Sequence, residues 1–357
     1  MKKITLMAFC LIGFYSHNML GQTTAIPDSK FEEALIELGI DSDKTVNGEV
    51  LTSDIENVVR LDLLGKGISD LTGIEGFKGL THLDASQNYL FDINVTENLE
   101  LEDLSVGSNG LQNLDVSKNE KLTRLECTRN KLTEIDLSNN SKLLTFQGFE
   151  NEFISLDFSS NSSINWVSCN DNKINNLVFG ETDNLENLIC PGNEMVSFDI
   201  SSGFSKLEIL YIYNNSKLES LNLKNGNNSN LIVFAQGCVN LTCVQVDNEA
   251  AANAGIGSYQ MWNLPTQAVY SENCATLSVN DFVVNDSKVF YDKSSSVINI
   301  STPLKVKNIS LYNLSGQELI SYNSNPESIL VDNFPDGVYL IQIDSEMGRD
   351  IKKVIKY

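Results

Sequence analysis

The residues able to do acid–base, nucleophilic or metal chemistry are few. The chain has two histidines, His17 and His82. It has seven cysteines: Cys10, Cys127, Cys169, Cys190, Cys238, Cys243 and Cys274. His17 and Cys10 fall in an N-terminal stretch that reads as a leader, so His82 is the single imidazole beyond it. One imidazole cannot furnish a two-histidine zinc site, and any His-activated nucleophile would depend on it alone. There is no Cys-x-x-Cys, no Gly-x-Ser-x-Gly elbow and no glycine-rich phosphate loop. Carboxylates are plentiful, but Asp115, Asp136, Asp157 and Asp199 recur at a regular step, which marks them as structural. Asp84 and Glu126 are the one carboxylate pair that could act together, and they stand two repeats apart. The expectation is a non-enzyme with no cofactor and no metal.

The regular step is what positions everything else. Four lines superpose at 21 residues: Leu101–Leu104–Val106–Asn109, Leu122–Leu125–Cys127–Asn130, Leu143–Phe146–Gly148–Asn151 and Ile164–Val167–Cys169–Asn172. A short strand in each unit alternates, so Leu104 and Val106 point inward while Asp103, Ser105 and Gly107 point outward. One such coil cannot bury its apolar side, but stacked coils share a continuous core. The period and pattern are those of a leucine-rich repeat. The fold class read from them is mainly β: a solenoid of about nine coils of 21–24 residues, with a short N-terminal capping helix. The column Asn88, Asn109, Asn130, Asn151, Asn172, Asn193 and Asn215 should form a structural ladder, each amide giving a donor and an acceptor to neighbouring coils.

A length of 357 residues suggests two or three domains. Residues 1–21 read as a signal peptide: Lys2 and Lys3, an apolar run from Ile4 to Tyr15, then Gly21 before Gln22. The run is too short to span a bilayer, and no later stretch approaches that length, so no membrane span is expected in the mature chain. Residues 22–57 read as the N-terminal cap, with Ser29 and Glu32 at capping-box spacing. The Asp41–Asn47 run alternates Asp and Asn, but Val46 and Thr52 replace the Gly and Glu of a calcium loop, so an Asx-rich turn is favoured. The solenoid covers 58–246. Its first coil has apolar residues every third position (Ile68, Leu71, Ile74, Phe77), and later backs read as extended. Residues 247–284 form a C-terminal cap and linker. Residues 285–357 lose the period and show short alternating strands: a small, immunoglobulin-like β-sandwich.

The formal net charge is -22, and between Gln22 and Val284 there are 15 basic against 38 acidic residues. That excess disfavours nucleic acid and anionic membrane as partners. Cys127, Cys169 and Cys190 share an inward column and read as buried thiols, with a Cys169–Cys190 bridge as the alternative. In the closing segment Cys243–Cys274 is the preferred disulfide, with Cys238–Cys243 as its rival.

The stretch 22–274 resembles the secreted leucine-rich-repeat proteins of Bacteroidetes-type bacteria, and more distantly the internalins. The resemblance rests on Ile26-Pro27-Asp28 with Phe31-Glu32, on Leu71-Thr72-Gly73-Ile74, on the Leu-x-x-Leu-x-Cys strands, and on Val244–Asp247 with Cys274. The tail resembles the type IX secretion sorting domain through Ile309–Asn313 with Gly316, Gly337–Ile341 and Lys352-Lys353-Val354. Where that family opens on a Tyr-Pro-Asn-Pro-like strand, this chain has Tyr291-Asp292-Lys293-Ser294. The resemblance implies partnership with the type IX machinery through residues 285–357. It also implies a protein that is secreted or held on the outer-membrane surface of a Gram-negative bacterium.

The outward strand positions are the remaining candidates for function. The early coils carry charge; the later ones gather Phe149, Trp166, Ile189, Ile209, Tyr211 and Tyr213. Apolar and aromatic residues on a rigid concave sheet have the composition of a binding hot spot. The expected function is an interaction protein that binds a protein partner there, with glycan adhesion or a structural surface role as alternatives.

Overall fold

Leu-x-x-Leu sets an apolar residue at the centre of each short strand, and the computed structural model buries that residue in every coil. It describes residues 21–180, 182–274, 288–302, 305–313, 316–324, 326–345 and 348–357. Residues 1–20 of the expected signal peptide and residues 275–287, which include the expected linker, lie outside the described residues. The chain divides into two compact units, Met1–Cys274 and Ala275–Tyr357.

In the first unit nine strands form one parallel sheet. They are Arg60–Asp62, His82–Asp84, Asp103–Ser105, Arg124–Glu126, Thr145–Gln147, Trp166–Ser168, Asn187–Ile189, Ile209–Tyr211 and Ile232–Phe234. Their register keeps equivalent positions level: Arg60 faces His82, Asp103 faces Arg124, Trp166 faces Asn187, and Tyr211 faces Phe234. The central residues Leu61, Leu83, Leu104, Leu125, Phe146, Val167, Leu188, Leu210 and Val233 are all buried. Each such side chain stabilises the fold by about 1.5–3 kcal/mol. Size is conserved across the fifth coil. Gly148 takes a position held elsewhere by Leu, Ala, Val, Cys or Ile, and a Cβ there would sit 2.6 Å from the Phe146 ring. Phe146 begins an internal aromatic file, with Phe146–Phe158, Phe158–Phe179 and Phe179–Phe204 centroids 5.3, 5.3 and 5.4 Å apart.

The Asn column bridges the coils. Asn130 Nδ2 donates to the carbonyls of Val106, Cys127 and Thr128, and its Oδ1 accepts from Leu111 N–H at 3.0 Å. A second column, not anticipated, holds the opposite turn: Asn98, Asn119, Asn140 and Asn161 are fully buried. Asn119 Nδ2 donates to Val95 O and Asn98 O, and Asn140 and Asn161 repeat the pattern one coil on. The Oδ1 atoms of this second column accept no hydrogen bond.

The back of the first coil is the short 3₁₀ helix Ile74–Gly76, as its spacing predicts. Later backs pair as strands only from Ser155 on. Ser155–Phe158 pairs with Asn176–Phe179, and Ser197–Asp199, Ser220–Asn222, Cys243–Gln245 and Val269–Ser271 form a parallel sheet. Between Leu111 and Leu137 the back holds no helix and no paired strand, only a parallel bridge from Asn94 to Asp115, so the expected extension becomes a sheet in the later coils alone.

At the N-terminal end the helix Ser29–Glu37 covers the first coil. Its N-cap is Asp28 rather than the expected Ser29. The longer carboxylate does two jobs: Oδ1 accepts from Lys30 and Phe31 N–H, and Oδ2 accepts from Ser69 N–H, Ser69 Oγ–H and Asp70 N–H of the first coil. Glu32 is buried, and its carboxylate accepts from the N–H groups of Asn47 and Gly48 instead of closing a capping box. At the other end Cys243 is joined to Cys274. There Trp262 Nε1 donates to Leu231 O at 2.6 Å, Tyr259 packs 4.6 Å from Trp262, and Asn263 bridges to Phe234 at the sheet edge.

The second unit has two antiparallel sheets. One comprises Lys288–Asp292, Val297–Ser301 and Ser328–Leu330; the other, Val306–Asn313, Glu318–Tyr322, Gly337–Ser345 and Gly348–Lys356. They enclose Ile298, Ile300, Ile309, Leu311, Ile329, Ile341 and Ile343. Its first strand contains Tyr291, where the sequence departs from the sorting-domain opening.

Candidate functional site

The face of the nine-stranded sheet carries the outward residues in three columns, and its two halves differ in chemistry. On the early half Arg124 donates to Asp103 at 2.9 Å and to Ser105 Oγ at 2.8 Å. Asp62, Asp84 and Glu126 each turn a carboxylate oxygen back onto the N–H two residues on: Leu64, Ser86 and Thr128. His82 is half-buried and shares a 2.7 Å hydrogen bond with Thr81 Oγ1. Over this half lie an open depression of about 340 Å³, lined by Asp84, Ser105, Arg124 and Glu126 among others, and a smaller one of about 150 Å³, lined by Arg60, His82, Asp103 and Arg124 among others. The smaller is below the usual size of a small-molecule pocket, roughly 300–1,000 Å³. Among the described residues, no group of three or more His, Cys, Asp or Glu is placed to hold a metal ion.

On the later half the sequence-predicted residues come together. Trp166, Ile189, Ile209 and Tyr211 lie on three successive strands, Phe149 and Tyr213 just beyond strand ends, and all six are half-buried. Half-burial anchors each side chain on the sheet and leaves part of it open to a partner. The sequence reading missed two members. Ile232 and Phe234 continue the patch on the ninth strand, opposite Ile209 and Tyr211. The Tyr211 and Phe234 rings meet edge to face at 4.9 Å. Their signal was the 23-residue step from Ile209 to Ile232 and from Tyr211 to Phe234, at a point where the repeat pattern loosens.

The remaining candidates fall elsewhere. Cys127, Cys169, Cys190 and Cys238 are free and buried, so Cys169 and Cys190 do not bridge. Burial pushes the Cys127 thiol up, and the Cys169 contact together with burial does the same to Cys190. Thiols held protonated in the core are poor nucleophiles. In the Asp41–Asn47 run, burial raises the Asp41 carboxyl against an opposing hydrogen bond from Asp43, and Asp43, Glu32 and Asp54 add to the rise. No helix among the described residues is long and apolar enough to cross a membrane.

Residues 294–357 match the family described as the secretion system C-terminal sorting domain. Among curated proteins, none matches the chain. Many solved structures are similar, among them three from bacteria. The functional domain of InlJ from Listeria monocytogenes is 19% identical, over 94% of this chain and 98% of that one, with a TM-score of 0.44. Internalin C2 from Listeria monocytogenes is 18% identical, over 63% and 97%, with a TM-score of 0.45. A leucine-rich-repeat protein from Leptospira interrogans is 16% identical, over 62% and 57%, with a TM-score of 0.43. The coil geometry and the matched tail together define a leucine-rich-repeat solenoid that carries a secretion sorting domain. Such a chain is a protein of the outer-membrane surface or the exterior in Bacteroidetes-type bacteria.

Proposed function

We propose that this is an exported interaction protein that binds a protein partner on the later half of its parallel sheet. The observation that carries this is the patch itself: apolar and aromatic side chains from four successive strands, Trp166–Ser168 to Ile232–Phe234, level in register and backed by a fully buried core. A sheet pinned by an Asn ladder changes shape little on binding, so the ordering cost of association is small. Aromatic side chains in such a setting supply most of the binding energy of an interface. The residues are distributed over a broad surface rather than gathered in a cavity, which favours a protein over a small metabolite.

The test is affinity capture of the natural partner from the producing cell's environment, followed by titration with purified components. Trp166→Ala and Tyr211→Ala should each weaken binding by about 2 kcal/mol or more, roughly thirtyfold, while leaving the circular dichroism spectrum unchanged. Unchanged affinity in both variants would sink the assignment. Retention on a polysaccharide column that is lost with Trp166→Ala would redirect it to a glycan.

A further inference from the structure

We infer that the segment received by this patch is a basic polypeptide, with apolar side chains seated on Trp166–Phe234 and Lys or Arg side chains reaching its rims. The inference rests on the interaction reading above and adds the chemistry of the partner.

It comes from the charges that border the patch. Coil by coil, the strand and its two flanking positions read 144–150, 165–171, 186–192, 208–214 and 231–237, and these contain no Lys and no Arg. They do contain Glu150, Asp171, Glu186 and Glu208, all exposed. Glu186 and Glu208 stand just before their strands, Glu150 and Asp171 just after, so the carboxylates border the patch on both sides. Glu150 is engaged by Arg129 of the preceding coil at 3.1 Å. Asp171 accepts a hydrogen bond from Asn170 Nδ2. Among the described residues Asp171, Glu186 and Glu208 enter no ion pair.

The cations nearby have partners on this chain: Arg129, paired with Glu150, also lies over the Phe149 ring at 5.7 Å, and Lys206 donates to Asn184 at 3.0 Å. Lys173 pairs with Glu152 and Lys217 with Glu194, on the turn that follows the strands. The apolar centre is therefore bordered by three carboxylates that form no ion pair among the described residues, on a unit with 15 basic against 38 acidic residues between Gln22 and Val284. Opposite charge at a rim steers encounter and fixes register, while the apolar centre supplies affinity. The dimensions suit a chain segment. Four strands about 4.8 Å apart span about 15 Å, which an extended peptide covers in four to five residues at about 3.3 Å each.

The probes are three end-capped heptapeptides with identical Tyr and Leu positions and with Lys, Gln or Glu between them. Binding to the full mature chain, disulfide intact, is followed by tryptophan fluorescence and calorimetry. The expected result is that the Lys peptide binds about tenfold tighter than the Gln peptide at low salt, with the Glu peptide weakest. The gap should close as salt shortens the screening length to a few Å. It should also close in the triple variant Asp171→Asn, Glu186→Gln, Glu208→Gln, whose altered side chains are all exposed. Equal binding of the Lys and Gln peptides, abolished for both by Trp166→Ala, would overturn the basic partner while leaving the interaction site standing. Lys-peptide binding unaffected by Trp166→Ala and Tyr211→Ala would overturn both. Failure of all three peptides to bind at millimolar concentration would also overturn the inference.

Discussion

Two asparagine columns look alike in sequence, yet the structure assigns them unequal work. Asn130→Ala removes three donated bonds and one accepted bond. The carbonyls it leaves keep other partners: Val106 O retains Asn109 Nδ2, Cys127 O retains Asn151 Nδ2, and Thr128 O retains Ser108 N–H. Leu111 N–H, on a fully buried residue, loses its partner. Leaving one buried donor unpaired costs about 1–3 kcal/mol, and the other lost bonds add about 1 kcal/mol net. The expected destabilisation is about 2–4 kcal/mol. Asn119→Ala also loses two donated bonds, but Val95 O retains Asn98 N–H and Asn98 O retains Leu101 N–H. No backbone group is orphaned. The variant also deletes an Oδ1 that is buried without a partner, which offsets much of the loss. Its expected cost is about 0–1 kcal/mol. Urea unfolding of both variants, read by far-ultraviolet circular dichroism at unchanged m-value, gives the comparison. Equal costs, or Asn119→Ala the more damaging, would refute the accounting of orphaned groups.

Asp41→Asn should hold or raise stability at pH 7, because it removes a buried carboxylate whose Oδ2 has no partner. The Asp41 carboxyl is raised in the fold, so its favourable contribution is present below the ordinary carboxylate range and is lost as pH rises; the advantage of the variant must therefore vanish in acid. Asp28 has the opposite sign. Burial opposes ionisation, but the bonds from Ser69, Lys30 and Phe31 outweigh it and hold the carboxyl low. Its contribution is present above the ordinary range and lost as pH falls, so Asp28→Asn should cost about 1–2 kcal/mol at pH 7 and nothing near pH 2; melting temperatures across pH check both. Reducing the Cys243–Cys274 bond, which closes a separation of 31 residues, should cost about 4 kcal/mol by chain entropy. A thermal midpoint unmoved by reductant contradicts this. In the native state a thiol reagent should leave Cys127, Cys169, Cys190 and Cys238 unmodified, since all four are buried.

Much of the fold was legible because its signals repeat. The strand centres, the first Asn column and the nine coils follow from one period, and errors average out over it. Features that depend on a single residue, or on a turn with no distinctive composition, were not legible. The second Asn column sits among other Asn, Ser and Lys residues in stretches such as Asn139-Asn140-Ser141, where nothing marks which Asn turns inward. The left-handed position before the first five ladder Asn is held by Gln87, Ser108, Arg129, Glu150 and Asp171, with φ between 52° and 57°; only before Asn193 and Asn215 do Gly192 and Asn214 hold it. Three of these types rarely signal such a turn, so composition hides it. Asp28 displaced Ser29 as N-cap through contacts with residues 41 and 42 positions away, which no local motif reports. At the site, Trp166 to Tyr213 followed from strand alternation. Ile232 and Phe234 escaped because the step lengthened to 23 residues just where the repeat degenerates.

The two ends of the solenoid are fastened by unlike chemistry. One end plate hangs on the carboxylates of Asp28 and Glu32; the other is closed by a covalent bond and the Tyr259–Trp262 pair. Each coil leans only on its neighbours, so damage travels inward from whichever end lets go. Reductant therefore frays the molecule from the aromatic coils backward. Trp166 lies on the sixth strand of nine, three strands in from that end. The ninth strand, which carries Phe234, is the first of the large sheet on that side. The aromatic half of the sheet is thus the part that depends most on the bond, a bias suited to the oxidising outside of a cell.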